Sequence, residues 1–373
     1  MNFGFTEEQE LLRAGVEKFV QAHSPMPEVR RAARSELGFD ERTWLQMADL
    51  GWLGLLVPEA HGGAALSWVD VIVLLEATGR ALLPSPLLST LLASAALVEH
   101  GTETQRAHFL PGLARGEIIA TPALLERGQR LGADGVSLRA WADGGGYRLD
   151  GEKAFVADAG SAGLFVVAAR AEHGVGLFLV QRQQPGVTAR SAPLIDATKR
   201  MGTLVLADAR VEPDGVLVAP GAAAEAALCR LLDAGAVAVA AEMIGAAEAA
   251  HALTVEYAKT RRQFGELIGR FQAVKHPLAE MYVDLETARS LVYYAAWALS
   301  AAPGEVPRAA SMAKAYASDA FARIGIDAIQ LHGAIGYTDE YDAQLYLKRS
   351  KWARPQFGDA DYHYDRIATL GGL

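Results

Sequence analysis

The sequence predicts a mostly α-helical protein with a β-barrel middle domain. Apolar residues recur at helical spacing in the first third of the chain and again from about residue 222, whereas short apolar runs between glycines and aspartates fill the middle. The chain has 373 residues, 51% of them hydrophobic, which is enough for more than one core. We therefore predict an N-terminal α-helical domain over residues 1–117, an antiparallel β-barrel over 118–221 and a C-terminal helical bundle over 222–373.

The first third carries helix-start signals. Thr6 is a predicted N-cap with Gln9 at the capping-box position, and apolar residues follow at helical spacing. Further helices are predicted over residues 40–50, after Ser67, and over 89–100.

The middle third carries strand signals. Residues 147–153 predict a strand and a tight turn at Asp150 and Gly151. The other predicted strands are residues 164–169, 176–181, 187–190 and 203–206.

The last third predicts an antiparallel bundle of long helices with short connections. These helices are expected over residues 222–260, 270–301 and 307–332, with a final helix near 341–351 and a short tail. The apolar window 234–250 is alanine-rich and contains Glu242 and Glu248, so we predict a buried helix and no membrane span.

The composition of the chain limits which binding partners and which cellular compartment we expect. The net charge is −9, so the chain has no general attraction for nucleic acid or anionic lipid, and a site for an anionic ligand must be locally basic. Cys229 is the only cysteine, which excludes an internal disulfide and a cysteine-ligated metal. With no basic or strongly apolar segment at the N-terminus, we expect a cytoplasmic protein.

Several motifs resemble those of the acyl-CoA dehydrogenase family. Residues 257–265 with 271–272 resemble the family's arginine-containing signature, and residues 330–337 with Glu340 resemble its second C-terminal signature. Residues 147–153 followed by Phe155 are similar to the strand pair that faces the flavin. The similarity spans the chain in the family's order, and it implies a helical domain, a β-barrel and a C-terminal four-helix bundle.

The resemblance implies an FAD cofactor, an acyl-CoA substrate and a set of cofactor-binding residues. Arg261 would reach the FAD pyrophosphate of a neighbouring subunit, because a guanidinium offers forked, permanently charged donors. Amide side chains would hydrogen-bond phosphate, ribose or adenine, an aromatic ring would supply a flat apolar surface, and a glycine would let the backbone come close. The implied cofactor-binding residues are Arg261, Gln263, Phe264, Gln272, Gln330 and Gly333.

The sequence departs from the family at the catalytic base. The family's reaction needs a carboxylate that removes the α-proton of the thioester while hydride leaves the β-carbon for the flavin. Most members place this glutamate after the last bundle helix, where Phe357 stands here, and others place it on the preceding long helix, where Gly235 stands. Asp233 and Asp359 lie nearby but are not simple replacements.

The flavin-facing segment departs from the family as well. Residues 125–133 correspond to a family segment of which Glu126 and Gly128 are retained. Leu125 and Ala157 stand where the family has threonines, so two hydroxyl partners of the isoalloxazine edge are missing.

The tail after Phe357 is similar to that of pimeloyl-CoA dehydrogenase small subunits and of glutamate-lacking subunits in heteromeric steroid-degrading dehydrogenases. This resemblance implies an α2β2 heteromer in which a second, glutamate-containing subunit supplies the base and the flavin pocket. The resemblance to the family as a whole also implies an electron-transfer flavoprotein as acceptor. Three alternatives stay open: a homomeric enzyme with Asp233, Asp359 or Glu242 as its base, a non-enzymatic CoA-ester-binding or scaffold protein, and an acyl-CoA oxidase-like flavoenzyme.

Overall fold

The computed structural model describes residues 4–373, which form two compact units that alternate along the chain. One unit comprises the residues up to Arg31, Trp68–Leu83 and Gly235–Leu373, and is called the helical unit below. The other comprises Ala32–Ser67 and Pro84–Ala234, and is called the sheet unit. The division into three domains at 117/118 and 221/222 stays a prediction, and its first three residues lie outside the described part of the chain.

Eleven α-helices lie within residues 4–373. They are α1 Glu7–His23, α2 Met26–Arg34, α3 Glu41–Asp49, α4 Trp68–Arg80, α5 Leu87–His100, α6 Glu103–Ala114, α7 Ala222–Thr260, α8 Gln272–Ala301, α9 Val306–His332, α10 Ala343–Ala353 and α11 Ala360–Leu370. The predicted capping box of α1 is confirmed, since the Thr6 hydroxyl accepts from the Gln9 backbone N–H and the Thr6 N–H donates to the Gln9 side chain.

In the described part of the chain, eight strands form one sheet in the sheet unit, and two more form a short hairpin in the helical unit. They are β1 Ala120–Ala123, β2 Arg139–Asp143, β3 Gly146–Ala157, β4 Leu164–Ala171, β5 Gly174–Gln181, β6 Val187–Ala192, β7 Met201–Val211, β8 Val216–Val218, β9 Arg262–Gln263 and β10 Glu266–Leu267. The sheet order is β6-β7-β3-β2-β4-β5-β8, and β1 pairs in parallel with β4. One face buries an apolar core that includes Leu149, Phe165, Phe178 and Leu204.

The predicted closed barrel is not what the described residues form. β6 and β8 stand at the two ends of the strand order, so the sheet is open. β8 is only three residues long, and β6 pairs on one side only, with β7. The middle of the chain is therefore a mostly antiparallel open sheet.

Two further sequence expectations are corrected. Asp150 and Gly151 are not a turn, because β3 continues through them and its register against β7 shifts there as a β-bulge. The helix predicted near 341–351 is not the final one, because the tail after α10 contains α11, whose N-cap Asp359 accepts a hydrogen bond from the Tyr362 N–H.

Helices α4 and α7 pack closely within the helical unit. A Cβ atom on Gly79 would lie 2.6 Å from the Glu242 Cα atom, and one on Gly245 would lie 2.9 Å from the Arg80 nitrogen. Glycine is thus required where the two backbones meet. In residues 4–373 we find no helix that is both long and apolar enough to span a membrane, in agreement with the prediction for window 234–250.

Candidate functional site

The arginine-containing signature forms an exposed hairpin directly after α7. β9 and β10 pair through Arg262 with Leu267 and Gln263 with Glu266. The two turn residues between them, Phe264 and Gly265, have φ of 54° and 81°. Two consecutive positive φ values are the mark of a tight hairpin turn that normally excludes side chains as large as phenylalanine.

Arg261 lies at the start of this hairpin with its side chain in solvent. In the part of the chain that the structure describes, no carboxylate lies within ion-pair distance of its guanidinium, whereas nearby Lys259 pairs with Glu256 and Arg270 pairs with Glu266. A permanent charge with free forked donors can bind a phosphate.

The aromatic ring of Phe264 is also presented to solvent. It is 93% exposed and packs edge-on against Phe271 at a centroid distance of 6.2 Å. Gln263 in β9 and Gln272 at the start of α8 are both exposed residues, and the Gln263 side-chain amide donates to the Arg262 carbonyl at 2.9 Å. Residues 261–272 therefore present a cation, an aromatic ring and two amide side chains on one short stretch of chain.

The second signature lies at the C-terminal end of α9 and adjoins the first. The ring of Tyr257, one turn before Arg261, lies 4.5 Å from the buried ring of His332, whose Nδ1 is 2.6 Å from the Ala328 carbonyl oxygen. Gln330 is exposed, and Gly333 ends the helix with φ of 65°, a conformation that favours glycine. The contact between Tyr257 and His332 thus brings the two signatures together at the C-terminal ends of α7 and α9, and Gln272 begins α8 shortly after the hairpin.

The two positions that the resemblance assigns to the catalytic base face each other. A Cβ atom on Gly235 would lie 2.7 Å from Cζ of the Phe357 ring. Two positions far apart in sequence, each inferred from a different branch of the family, are therefore neighbours in space, and an aromatic ring fills the volume between them.

The three acids that the sequence left as alternative bases have different surroundings. Asp359 is exposed and caps α11. Glu242 is buried on α7, with its carboxylate 4.0 Å from the buried guanidinium of Arg349. Asp233 is buried on α7 as well.

The segment expected to face the flavin runs beside β3 in the sheet unit. The Ala154 N–H donates to the Leu125 carbonyl at 2.9 Å, which places Leu125 beside Ala154 of β3, three residues before Ala157. Glu126 does not face outward but forms a buried pair with Lys153 at 2.6 Å and accepts from the Ser137 and Leu138 N–H groups at 2.9 Å.

The Glu126–Lys153 pair was not predicted as a functional feature. Burial lowers the pKa of the Lys153 ammonium to about 8, although the Glu126 carboxylate opposes this shift. Lys153 stands in the motif at residues 147–153 and Glu126 is retained in the segment 125–133, but 27 positions separate them, so no local sequence signal relates the two. It fixes the loop after residue 125 to β3.

Three family models match the chain in succession. The acyl-CoA dehydrogenase N-terminal domain matches residues 6–117, the middle domain matches residues 126–208 and the C-terminal domain matches residues 225–370. The chain belongs to the acyl-CoA dehydrogenase family. Members of this family are FAD-dependent oxidoreductases, and the helical, sheet and helical segments form the acyl-CoA dehydrogenase fold.

Individual relatives resemble this acyl-CoA dehydrogenase over nearly its full length. Acyl-CoA dehydrogenase IpdE2 of Mycolicibacterium smegmatis is 32% identical over 92% of this chain and 93% of its own, and that of Mycobacterium tuberculosis is 34% identical over 92% and 91%. Among solved structures, a variant of the Tcur3481-Tcur3483 steroid ACAD has a TM-score of 0.90 and 34% identity over 98% of both chains. The ChsE4-ChsE5 complex from Mycobacterium tuberculosis has a TM-score of 0.91 and 28% identity over 100% and 99%.

Proposed function

We propose that this acyl-CoA dehydrogenase is the glutamate-lacking subunit of a heteromeric enzyme that desaturates an acyl-CoA thioester. In this proposal, a second subunit supplies the catalytic glutamate and the flavin pocket. The present chain contributes Arg261 and the other exposed residues of the two signatures to the adenosine-diphosphate end of the partner's FAD.

The observation that carries the proposal is the contact between Gly235 and Phe357. Removal of an α-proton needs a base at the α-carbon, and a positioned base contributes about 10²–10⁴-fold to the rate. Neither of the two neighbouring positions bears a carboxylate, because one is a glycine and the other a phenylalanine whose ring lies against it. Asp359, the acid nearest in sequence to Phe357, already serves as a helix cap.

The residues present fit one end of FAD better than the other. The exposed guanidinium of Arg261, the three exposed amides and the open backbone at Gly333 suit a pyrophosphate, a ribose and an adenine. FAD would supply the hydride acceptor of the reaction. Near its isoalloxazine ring, Leu125 and Ala157 offer no hydroxyl group, which argues for a flavin pocket built by another subunit.

Similarity to heteromeric proteins supports this division of labour. One of the similar structures is described as a complex of two different chains, ChsE4 and ChsE5, and another as the Tcur3481-Tcur3483 steroid ACAD. We infer by similarity that a thioester with a steroid-derived acyl group is the first substrate class to test. An electron-transfer flavoprotein is the acceptor that the family resemblance implies.

The decisive experiment compares the chain alone with the chain co-expressed with a glutamate-containing acyl-CoA dehydrogenase subunit. Dye-linked turnover is measured on FAD-saturated protein across straight-chain, dicarboxylic and steroid-derived acyl-CoA thioesters. We expect turnover only in the complex, with one flavin for every two subunits, and a rate for the isolated chain lower by at least about 10²-fold.

Two other outcomes would contradict the proposal. Turnover by the isolated chain that is lost in Asp233→Asn, Asp359→Asn or Glu242→Gln would establish a homomeric enzyme. A chain that forms no flavin-containing complex with any such subunit would favour a non-enzymatic role.

The role of Arg261 can be tested against a control arginine that lies just after the hairpin. Arg261→Ala should lower the FAD affinity of the complex by roughly 10–100-fold, because charge-assisted hydrogen bonds to phosphate are lost. Arg270→Ala removes another exposed arginine, which is already paired with Glu266, and should leave the FAD affinity unchanged. Equal effects of the two substitutions would refute a specific contact by Arg261.

A further inference from the structure

A buried lysine on α9 holds the segment that links α10 to α11. Lys314 is fully buried, and its Nζ atom donates to the Ser318 hydroxyl at 3.0 Å, the Arg354 carbonyl at 2.8 Å and the Gly358 carbonyl at 2.7 Å. An ammonium group has three donors, so all of them are used. Two of the three acceptors belong to the backbone between the helices.

Burying the charge of Lys314 costs free energy, which its hydrogen bonds must offset. Burial lowers the pKa of Lys314 to about 7, partly opposed by the Asp359 carboxylate. The charged groups that bear on it are Asp319 on α9, Arg354 after α10 and Asp359 at the start of α11. An apolar residue would avoid the desolvation cost but would leave two backbone carbonyls without these donors.

A buried histidine on α11 holds the adjoining carbonyl. The Nε2 atom of His363 lies 3.0 Å from the Phe357 carbonyl oxygen, and its Nδ1 atom lies 3.3 Å from the Ser311 hydroxyl. Burial and the nearby Lys314 ammonium lower the pKa of His363 to about 3, so its ring is neutral at pH 7. Because a carbonyl can only accept, the single ring proton is on Nε2, and the Ser311 hydroxyl, which also faces Arg366, can donate to Nδ1.

The backbone that these two residues hold is in an uncommon conformation. Phe357 and Gly358 have φ of 54° and 100°, and a Cβ on Gly358 would lie 2.8 Å from His363 Nε2. A phenylalanine with positive φ is unfavourable and persists only where its surroundings impose it. This conformation directs the Phe357 ring toward Gly235.

We propose that Lys314 and His363 are positioning residues that clamp the carbonyl groups of Gly358 and Phe357 and so fix the side chain at position 357 against Gly235. The proposal rests on the proposed function in one respect: position 357 is taken as the family's base position. In this chain the clamp holds an apolar ring there, which closes the volume where an α-carbon would have to approach a base.

The test measures the loop itself rather than turnover. Hydrogen exchange followed by mass spectrometry on the full chain reports the amides of residues 354–364, and 4-fluorophenylalanine at position 357 reports the ring by ¹⁹F NMR. In Lys314→Met and His363→Gln, we expect loop exchange to rise by roughly tenfold or more while the β3 and β7 amides keep their protection. Lys351→Met is the matched control, since this lysine is exposed on α10.

The pH dependence of the ¹⁹F signal distinguishes a specific role of the Lys314 ammonium from a general role in packing. The ¹⁹F shift should titrate with a midpoint of about 7 in the parent chain, and this titration should vanish in Lys314→Met. If Lys314→Met does not fold, the exchange measurement is made on Ser318→Ala and His363→Gln instead. Unchanged exchange and an unchanged ¹⁹F signal in these variants would overturn the clamp, whereas turnover by the isolated chain would overturn only the proposed function.

Discussion

His363 couples the stability of the protein to pH through its burial as a neutral ring. Its pKa is about 3 in the folded chain and 6.5 as an ordinary histidine, so the unfolded chain binds an extra proton between these values. The effect of His363 on the free energy of unfolding is therefore absent above pH 6.5. Below it, the free energy of unfolding decreases as the pH falls toward 3, by up to about 1.4 kcal/mol per pH unit.

We therefore predict a smaller loss of stability on acidification in His363→Gln than in the parent chain. Urea unfolding at pH 7, 5 and 4 would measure it, and His173→Gln, at an exposed position between β4 and β5, is the control. Lys314 affects stability in a different pH range. Because its pKa of about 7 lies below the ordinary 10.5, the unfolded chain binds an extra proton between these values, and the free energy of unfolding falls as the pH is lowered from 10.5 to 7. Parallel pH profiles for His363→Gln and the parent would show that the histidine is not buried in its neutral form.

At the scale of an element, the β9–β10 hairpin combines an unfavourable backbone with an exposed ring. Phe264 has no steric need to be aromatic, because 93% of its surface is in solvent. A positive φ costs a non-glycine residue about 1–2 kcal/mol. The proposed contact of this ring with FAD would account for a phenylalanine at this position.

The two turn residues give a matched pair of substitutions. Phe264→Gly should leave the free energy of unfolding within about 0.5 kcal/mol of the parent value, because relief of strain offsets the added flexibility of glycine, yet it should reduce flavin retention in the complex. Gly265→Ala should destabilise by about 1 kcal/mol or more through conformation alone, since no atom lies within 4 Å of the added Cβ. Urea unfolding and flavin absorbance measure both effects, and destabilisation by Phe264→Gly would assign the ring to folding.

At the scale of the whole molecule, catalysis needs a base and a flavin pocket together. Phe357→Glu should place a carboxylate at the clamped position beside Gly235 but should not give turnover in the isolated chain, because Leu125 and Ala157 still lack hydroxyl groups. Dye-linked turnover of FAD-saturated Phe357→Glu measures this, with the parent chain as baseline. Rates within an order of magnitude of those of the complex would mean that the chain's own flavin pocket is functional.

The local patterns of the sequence determined most of the helices and strands. The predicted helix over 222–260 coincides with α7, and the helix predicted over 270–301 is α8, Gln272–Ala301. Both follow from helical periodicity and end signals that involve residues a few positions apart. The cofactor-binding residues came from motif resemblance, and their roles remain predictions.

Tertiary structure alone decided the features that depend on distant partners. Asp150 and Gly151 resemble a turn locally, but pairing with β7 makes them a bulge, and the open ends of the sheet depend on which strands meet. Lys314 and His363 give no local signal, because a lysine on a helix is ordinarily exposed and a histidine is as often partly buried as exposed. Their function appears only when folding removes water and leaves backbone carbonyls as their partners, since burial is a property of the packed chain and not of its local sequence.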